Sequence, residues 1–329
     1  MQFTSAAISR IRCNMRPMRA TSHQKRCLQN RIHDGPAESD VRTPMVRTRV
    51  WTREAASPMC PRRSVGFVID LSFEDLLTEA ESRPVIGWDF SWLGERIAKS
   101  SLPWSYEDLL LEQALDHSEL LDMGTGGGEF LASLAYRPPR TVATESWPPN
   151  VECADRRLRP LGIGVVEVEA APDNVDQRPD EPRGRLPFVD GSFGLVTNRH
   201  ESFVPAEIAR VLGADGVFVT QQLGGDNGDY YDALELSQPI APSLTLEIAR
   251  GQLEGAGLEV VTGGECEEST TFFDVGALAW YLNAIPWIVN DFSIVSLRPQ
   301  LRQIHERIRS EGPLVTRNVA FWVMARAER

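Results

Sequence analysis

Hydrophobic and polar positions change period along this chain, and the changes predict its elements. In "SFEDLLTEAE", Ser72 stands three residues before Asp75, a capping-box spacing that opens a helix. "SWLGERIAKS" reads as a second helix. "SYEDLLLEQALDH" reads as a third, with Ser105 as cap, Asp108 at the third helical position, and Leu109, Leu110, Ala114 and Leu115 on one face.

From residue 118 short apolar runs alternate with helical stripes. "ELLDM" is a strand, and "GEFLASLA" a helix stopped by Pro138 and Pro139. "TVATE" is a second strand, and "NVECADRRLRPLG" a helix closed by Gly162. "GVVEVEA", "FGLVTNRH", "GVFVTQQLG" and "LEVVTG" continue as strands three to six, with helices in "PAEIARVLG" and "SLTLEIARGQLEGAG". The charged helix "RPQLRQIHERIRSEG" precedes a long last strand, "LVTRNVAFWVMARAE", which no helix follows. Strand–helix alternation implies right-handed crossovers and a parallel sheet. The expected fold is therefore α/β and Rossmann-like. It has a mostly parallel seven-stranded sheet, helices on both faces, a helical N-terminal cap, and a last strand antiparallel beside the sixth. The expected boundaries are a leader at 1–64, a helical cap at 65–117, and a ligand-binding domain at 118–329 with a cap insertion at about 272–296.

Charge divides the chain of 329 residues at the first boundary. Residues 1–64 hold 13 Lys+Arg against 4 Asp+Glu, and the remainder 21 against 42. The leader carries no sustained apolar period and is expected to be disordered. Such an Arg-rich segment is either an organelle transit peptide or upstream sequence read from a misplaced start. The second is favoured, with Val65 or Met59 as the true start, because Lys25 and Lys99 are the only lysines, a bias typical of GC-rich bacterial coding. The body, near −21, repels phosphate backbones, so a nucleic-acid partner is disfavoured and a small-molecule substrate expected. Cys13, Cys27, Cys60, Cys153 and Cys266 form no C-x-x-C pair, so neither a disulfide framework nor a zinc site is indicated. "GALAWYLNAIPWIV" is too short to span a bilayer. The expectation is a cytoplasmic protein without a membrane partner.

The most informative stretch is "LLDMGTGGGEF". Asp122 and Met123 end the first strand, and Gly124, Thr125, Gly126, Gly127 and Gly128 follow. Glycine admits positive φ and lets a ligand lie against the main chain, at the strand ends where open α/β sheets bind ligands. A dinucleotide fingerprint G-x-G-x-x-G fails in both registers, because Glu129 or Leu131 stands where its last glycine belongs. The phosphate-binding P-loop fails too, as no Gly-Lys-Ser/Thr is present.

The form D-x-G-x-G-x-G resembles the first motif of class I S-adenosylmethionine-dependent methyltransferases. "LPFVDGSFGLV", "IARVLGADGVFVTQ" and the long last strand are similar to later parts of that family. "NRHES", "PAEIARVL" and "YLNAIPW" resemble a bacterial branch with a methyltransferase type 11 domain. The resemblance implies S-adenosyl-L-methionine as cofactor, with Asp122, Met123, Gly124, Thr125, Gly126, Gly128, Glu145 and Asn198 around it. Glu145, ending strand two, would take the ribose hydroxyls, and Asp122 would brace the loop and the cofactor's ammonium. The adenine-side acid is Glu169 or Asp173. Gly194 departs from the family's usual aspartate, and 172–185 is a polar insertion.

"TNRHES" follows strand four and faces the donor in that family. His200 is the candidate catalytic base, with a pKa suited to neutral pH. Asn198, Arg199 and Glu201 are alternatives, and Arg199 can grip a carboxylate with two bonds. Trp104, Tyr106, Trp280, Tyr281, Trp287 and Phe292 are either core or a lid over an apolar acceptor.

Overall fold

Ser72 caps the first helix as its spacing predicts: its hydroxyl accepts the Asp75 N–H at 3.2 Å, and the Asp75 carboxylate returns to the Ser72 N–H. The computed structural model describes residues 71–327 except 86, 87, 178–182, 226 and 239–242. The expected leader and its alternative starts lie outside the described residues.

In chain order the elements are α1 (Phe73–Ser82), β1 (Ile97–Lys99), α2 (Tyr106–Ala114), β2 (Glu119–Met123), α3 (Glu129–Ser133), β3 (Arg140–Glu145), α4 (Pro148–Leu158) and β4 (Gly164–Glu167). There follow β5 (Phe193–Arg199), α5 (Pro205–Val211), β6 (Leu212–Gly224), α6 (Gly228–Ala233), α7 (Leu246–Gly255), β7 (Leu258–Phe272), α8 (Val275–Ala284), α9 (Arg298–Glu311) and β8 (Leu314–Ala327). The sheet order is β1-β7-β8-β6-β5-β2-β3-β4. Strands β2 to β6 pair parallel, and β8 runs antiparallel between β6 and β7. The chain winds outward from β2 through β3 to β4, then returns to place β5 on the other side of β2. That reversal opens a crevice at the carboxyl ends of β2 and β5.

Strand residues alternate between two cores. Leu120, Leu195, Val217 and Val219 pack with α2, α3 and α4 on one face. Leu121, Val196 and Phe218 pack with α5 and α7 on the other. Both faces are covered, so these strands read as near-continuous apolar runs. A third core joins α1, α8 and α9, with Trp280 and Tyr281 inside it.

Three expectations need correction. "SWLGERIAKS" is not a helix: Ser91–Arg96 is a 3₁₀ segment broken at Gly94 (φ 41°, ψ −125°), and Ile97–Lys99 pairs with β7. The positive φ ends helical hydrogen bonding there. The sheet therefore has eight strands, not seven. The helix opened by Ser105 belongs to the sheet layer rather than the cap, since Tyr106, Leu110 and Ala114 pack on Leu120 while Leu115 is exposed. The sixth strand outgrows its apolar run, because β8 pairs with β7 all the way to Phe272.

Candidate functional site

The glycine loop turns as its composition requires. Gly124, Gly126 and Gly128 have φ of 61°, 62° and 79°, a region that strongly favours glycine. The Thr125 N–H donates to the Thr144 carbonyl at 3.0 Å, tying the loop to β3. The following helix is shorter than the pattern suggested, at five residues. Arg137 gathers the carbonyls of Leu131, Ala132 and Leu134 at its end, so little of the loop's character comes from a helix dipole.

The carboxylate that braces the loop directly is Glu145. It is buried, accepts the Gly126 N–H at 2.7 Å through Oε2, and accepts the Ser146 and Trp147 N–H groups at 2.8 and 3.0 Å through Oε1. Asp122, opposite Thr197 where β2 pairs with β5, accepts the Thr197 hydroxyl at 2.8 Å. Burial pushes the Asp122 pKa up, opposed by the Thr197 and Thr125 hydroxyls and by Arg199.

A cleft of about 310 Å³, its open mouth included, lies at the ends of β2, β3 and β4. Met123, Gly124 and Glu145 line it, with Glu169 and Glu201; Asp173 does not. Asp173 instead turns its own loop by accepting the Val175 N–H at 3.0 Å. Asp122, Thr125, Gly126, Gly128 and Asn198 do not line the cleft but lie in or next to the segments that form it. Glu201 packs so closely on Gly124 that a Cβ there would come within 2.5 Å of it. Burial, then the nearby Glu145 charge, pushes the Glu201 pKa up to about 7.

Asn198 is fully buried at the end of β5. Its Oδ1 accepts from Thr220 at 2.9 Å and from Gln222 at 2.6 Å, while its Nδ2 makes no hydrogen bond. The Thr125 hydroxyl oxygen is also buried without a bond of normal geometry. Arg199 and His200 turn outward. His200 has φ 59°, held by its N–H to the Gln221 carbonyl at 2.9 Å. Surrounding protein, then Arg199 and Lys99, pushes the imidazole pKa down, away from the neutral range expected from the sequence.

Several contributors lie beyond the sequence reading. Trp88 rests on the loop: a Cβ on Gly126 would meet its Cδ1 at 2.2 Å. Phe90 stacks on Trp88 and Trp287 meets it edge-on. Of the aromatic residues singled out from the sequence, Tyr106, Trp280 and Tyr281 are core, while Trp287 is 60% exposed. Asn174 exchanges two hydrogen bonds with Phe203, joining the segment after β4 to the one after β5. No local signal marks Trp88 or Asn174, because both act through contacts distant in sequence. Gly194 has a physical reason: a Cβ there would lie 2.6 Å from His117 Nδ1.

No protein-family model and no curated protein matches the chain. Among solved structures, a Bacillus halodurans protein provisionally named a methyltransferase aligns at TM-score 0.46 and 17% identity, over 69% of this chain and 100% of that one. A provisionally named sarcosine dimethylglycine methyltransferase of Galdieria sulphuraria aligns at 0.41 and 13%, over 68% and 85%. The cyclase SpnF aligns at 0.39 and 17%, over 68% and 79%. Likeness at this level assigns no activity.

Proposed function

We propose that the chain is an S-adenosylmethionine-dependent methyltransferase acting on an O or N atom of a small molecule. The observation that carries this reading is the glycine loop, held by three positive-φ glycines against the buried Glu145 at the sheet's reversal point. The unpartnered Asn198 amide lies next to that loop, opposite Met123, and fits a polar ligand better than an apolar one. Met123, Gly124, Glu145 and Glu169 would hold the cofactor, which supplies a methyl group on a positively charged sulfur. A carboxylate offers about four lone-pair positions. Three of Glu145's already accept backbone N–H groups, so one ribose hydroxyl can join without displacing the loop. His200, directly after β5, would take the acceptor's proton. The chain's remaining task is alignment of the nucleophile.

The deciding experiment is a paired titration of wild type and Glu145→Ala with S-adenosylhomocysteine and with NAD. Only the first ligand should bind wild type, and the substitution should weaken it roughly 10- to 150-fold. Tight NAD binding, or an unchanged affinity in the variant, overturns the reading.

A further inference from the structure

We infer that Glu201 is the counter-ion for a positively charged group, an ammonium or a sulfonium, on the molecule that the cleft binds. That this molecule is S-adenosylmethionine rests on the methyltransferase reading; the role of Glu201 rests on its own surroundings.

Three carboxylates line the cleft, from Glu145, Glu169 and Glu201, and among the described residues no lysine, arginine or histidine lines it. Their situations differ. Glu145 is spent on three backbone N–H groups. Glu169 is exposed, so water solvates it. Glu201 is half-buried, and among the described residues its carboxylate has neither a hydrogen-bond donor nor a cation. It lies on the main chain of the glycine loop: its carboxyl carbon is 3.1 Å from where a Cβ on Gly124 would stand. The surrounding chain holds it there. Gln222 Nε2 donates to the Glu201 carbonyl at 3.0 Å and to Asn198 Oδ1 at 2.6 Å. Two residues on, Phe203 exchanges hydrogen bonds with Asn174. With the backbone fixed at Glu201 and Phe203, little ordering remains to be done when a ligand arrives. The cations nearest in sequence do not serve this carboxylate. Arg199 is stacked over Phe130 at 4.5 Å and, like His200, does not line the cleft. A partly desolvated acid without a donor costs the folded state free energy, and such groups gather where a ligand completes them. The raised Glu201 pKa has the same origin, burial first and then the Glu145 charge. A ligand cation in the cleft relieves both causes and favours the ionised carboxylate; a neutral ligand group relieves neither.

The test uses the full chain, Glu201→Gln and Glu201→Asp, with nucleoside probes read by calorimetry. S-adenosylmethionine carries an ammonium and a sulfonium, S-adenosylhomocysteine the ammonium alone, dimethylsulfonioadenosine the sulfonium alone, and methylthioadenosine neither. At about pH 7.5, Glu201→Gln should weaken S-adenosylmethionine about 10-fold or more and methylthioadenosine less than about 2-fold. Glu201→Asp, which keeps the charge, should keep the preference for charged ligands. The singly charged probe that weakens alongside S-adenosylmethionine identifies the cation that Glu201 meets. Wild-type affinity for the charged ligands should rise as pH climbs from about 5.5 through 7, where Glu201 gives up its proton, and the rise should vanish in Glu201→Gln. Thermal melting checks that each variant is folded. Equal weakening of every probe, or weakening of none, overturns the counter-ion role, and the methyltransferase reading stands as long as the nucleosides bind. If no nucleoside binds wild type, that reading fails and n-hexylammonium decides the role of Glu201. The role stands if this cation lowers the pH midpoint of the Glu201 carboxyl NMR signal, assigned by its loss in Glu201→Gln, and falls if the midpoint stays.

Discussion

Glu145 answers to more partners than a strand-end acid usually does, and this changes what its substitutions should do. Both oxygens face backbone N–H donors. Glutamine would turn an amide NH₂ toward one set of them, so Glu145→Gln should resemble Glu145→Ala in S-adenosylhomocysteine affinity rather than fall midway. Calorimetry on the two variants checks it. Glu201 gives a pH signature. Its pKa rises from an ordinary 4.5 to about 7 on folding, so the folded state binds the extra proton between those values. Stability is therefore lost as pH rises from 4.5 through 7, and stays lost above. Glu201→Gln should stabilise the chain on the order of 2 kcal/mol near pH 8 and have little effect near pH 5, as read from denaturant midpoints. Gly126→Val should abolish cofactor binding, because a branched side chain is disfavoured at this positive φ and would collide with Trp88.

Between elements, the cap hangs on Arg96. Its guanidinium contacts Asp274 at 2.7 and 2.5 Å and Glu79 at 3.2 Å, and it lies over Trp92 at 4.2 Å. Asp274 also caps α8 by accepting the Ala277 N–H. Arg96→Leu leaves two acids facing each other across α1 and α8, and should cost roughly 2–4 kcal/mol in chemical denaturation. Element legibility followed burial. Strands β2, β5 and β6 are covered on both sides and announce themselves as apolar runs. The later half of β7 does not, because its glutamates are admitted by pairing with β8 rather than by packing. Likewise Ile97–Lys99 is too short to show an alternation, and only its register with Phe272–Thr270 makes it a strand.

At the scale of the whole chain, the loop, its glycines and the acid ending β3 were legible because they are contiguous or end a strand; that Glu145 rather than Asp122 braces the loop was not. Glu201's approach to Gly124 was not, because it depends on how the sheet sets β2 beside β5. The charge boundary near residue 64 carries its own expectation. A chain beginning at Val65 should melt within a few degrees of the full chain and bind S-adenosylhomocysteine equally well. A large drop in melting temperature would show that the leader contributes to the fold.

Trp88 on Gly126 also sets a kinetic expectation. An indole seated on the loop must leave before a ligand can touch that main chain. Association should then follow two steps, with the observed rate climbing at low ligand and reaching a plateau set by the indole's departure. Because the ring is partly solvent-exposed and flanked by Phe90 and Trp287, its departure should register as a change in tryptophan emission. Trp88→Ala would remove both the plateau and most of the signal, making the observed rate linear in ligand concentration over the same range.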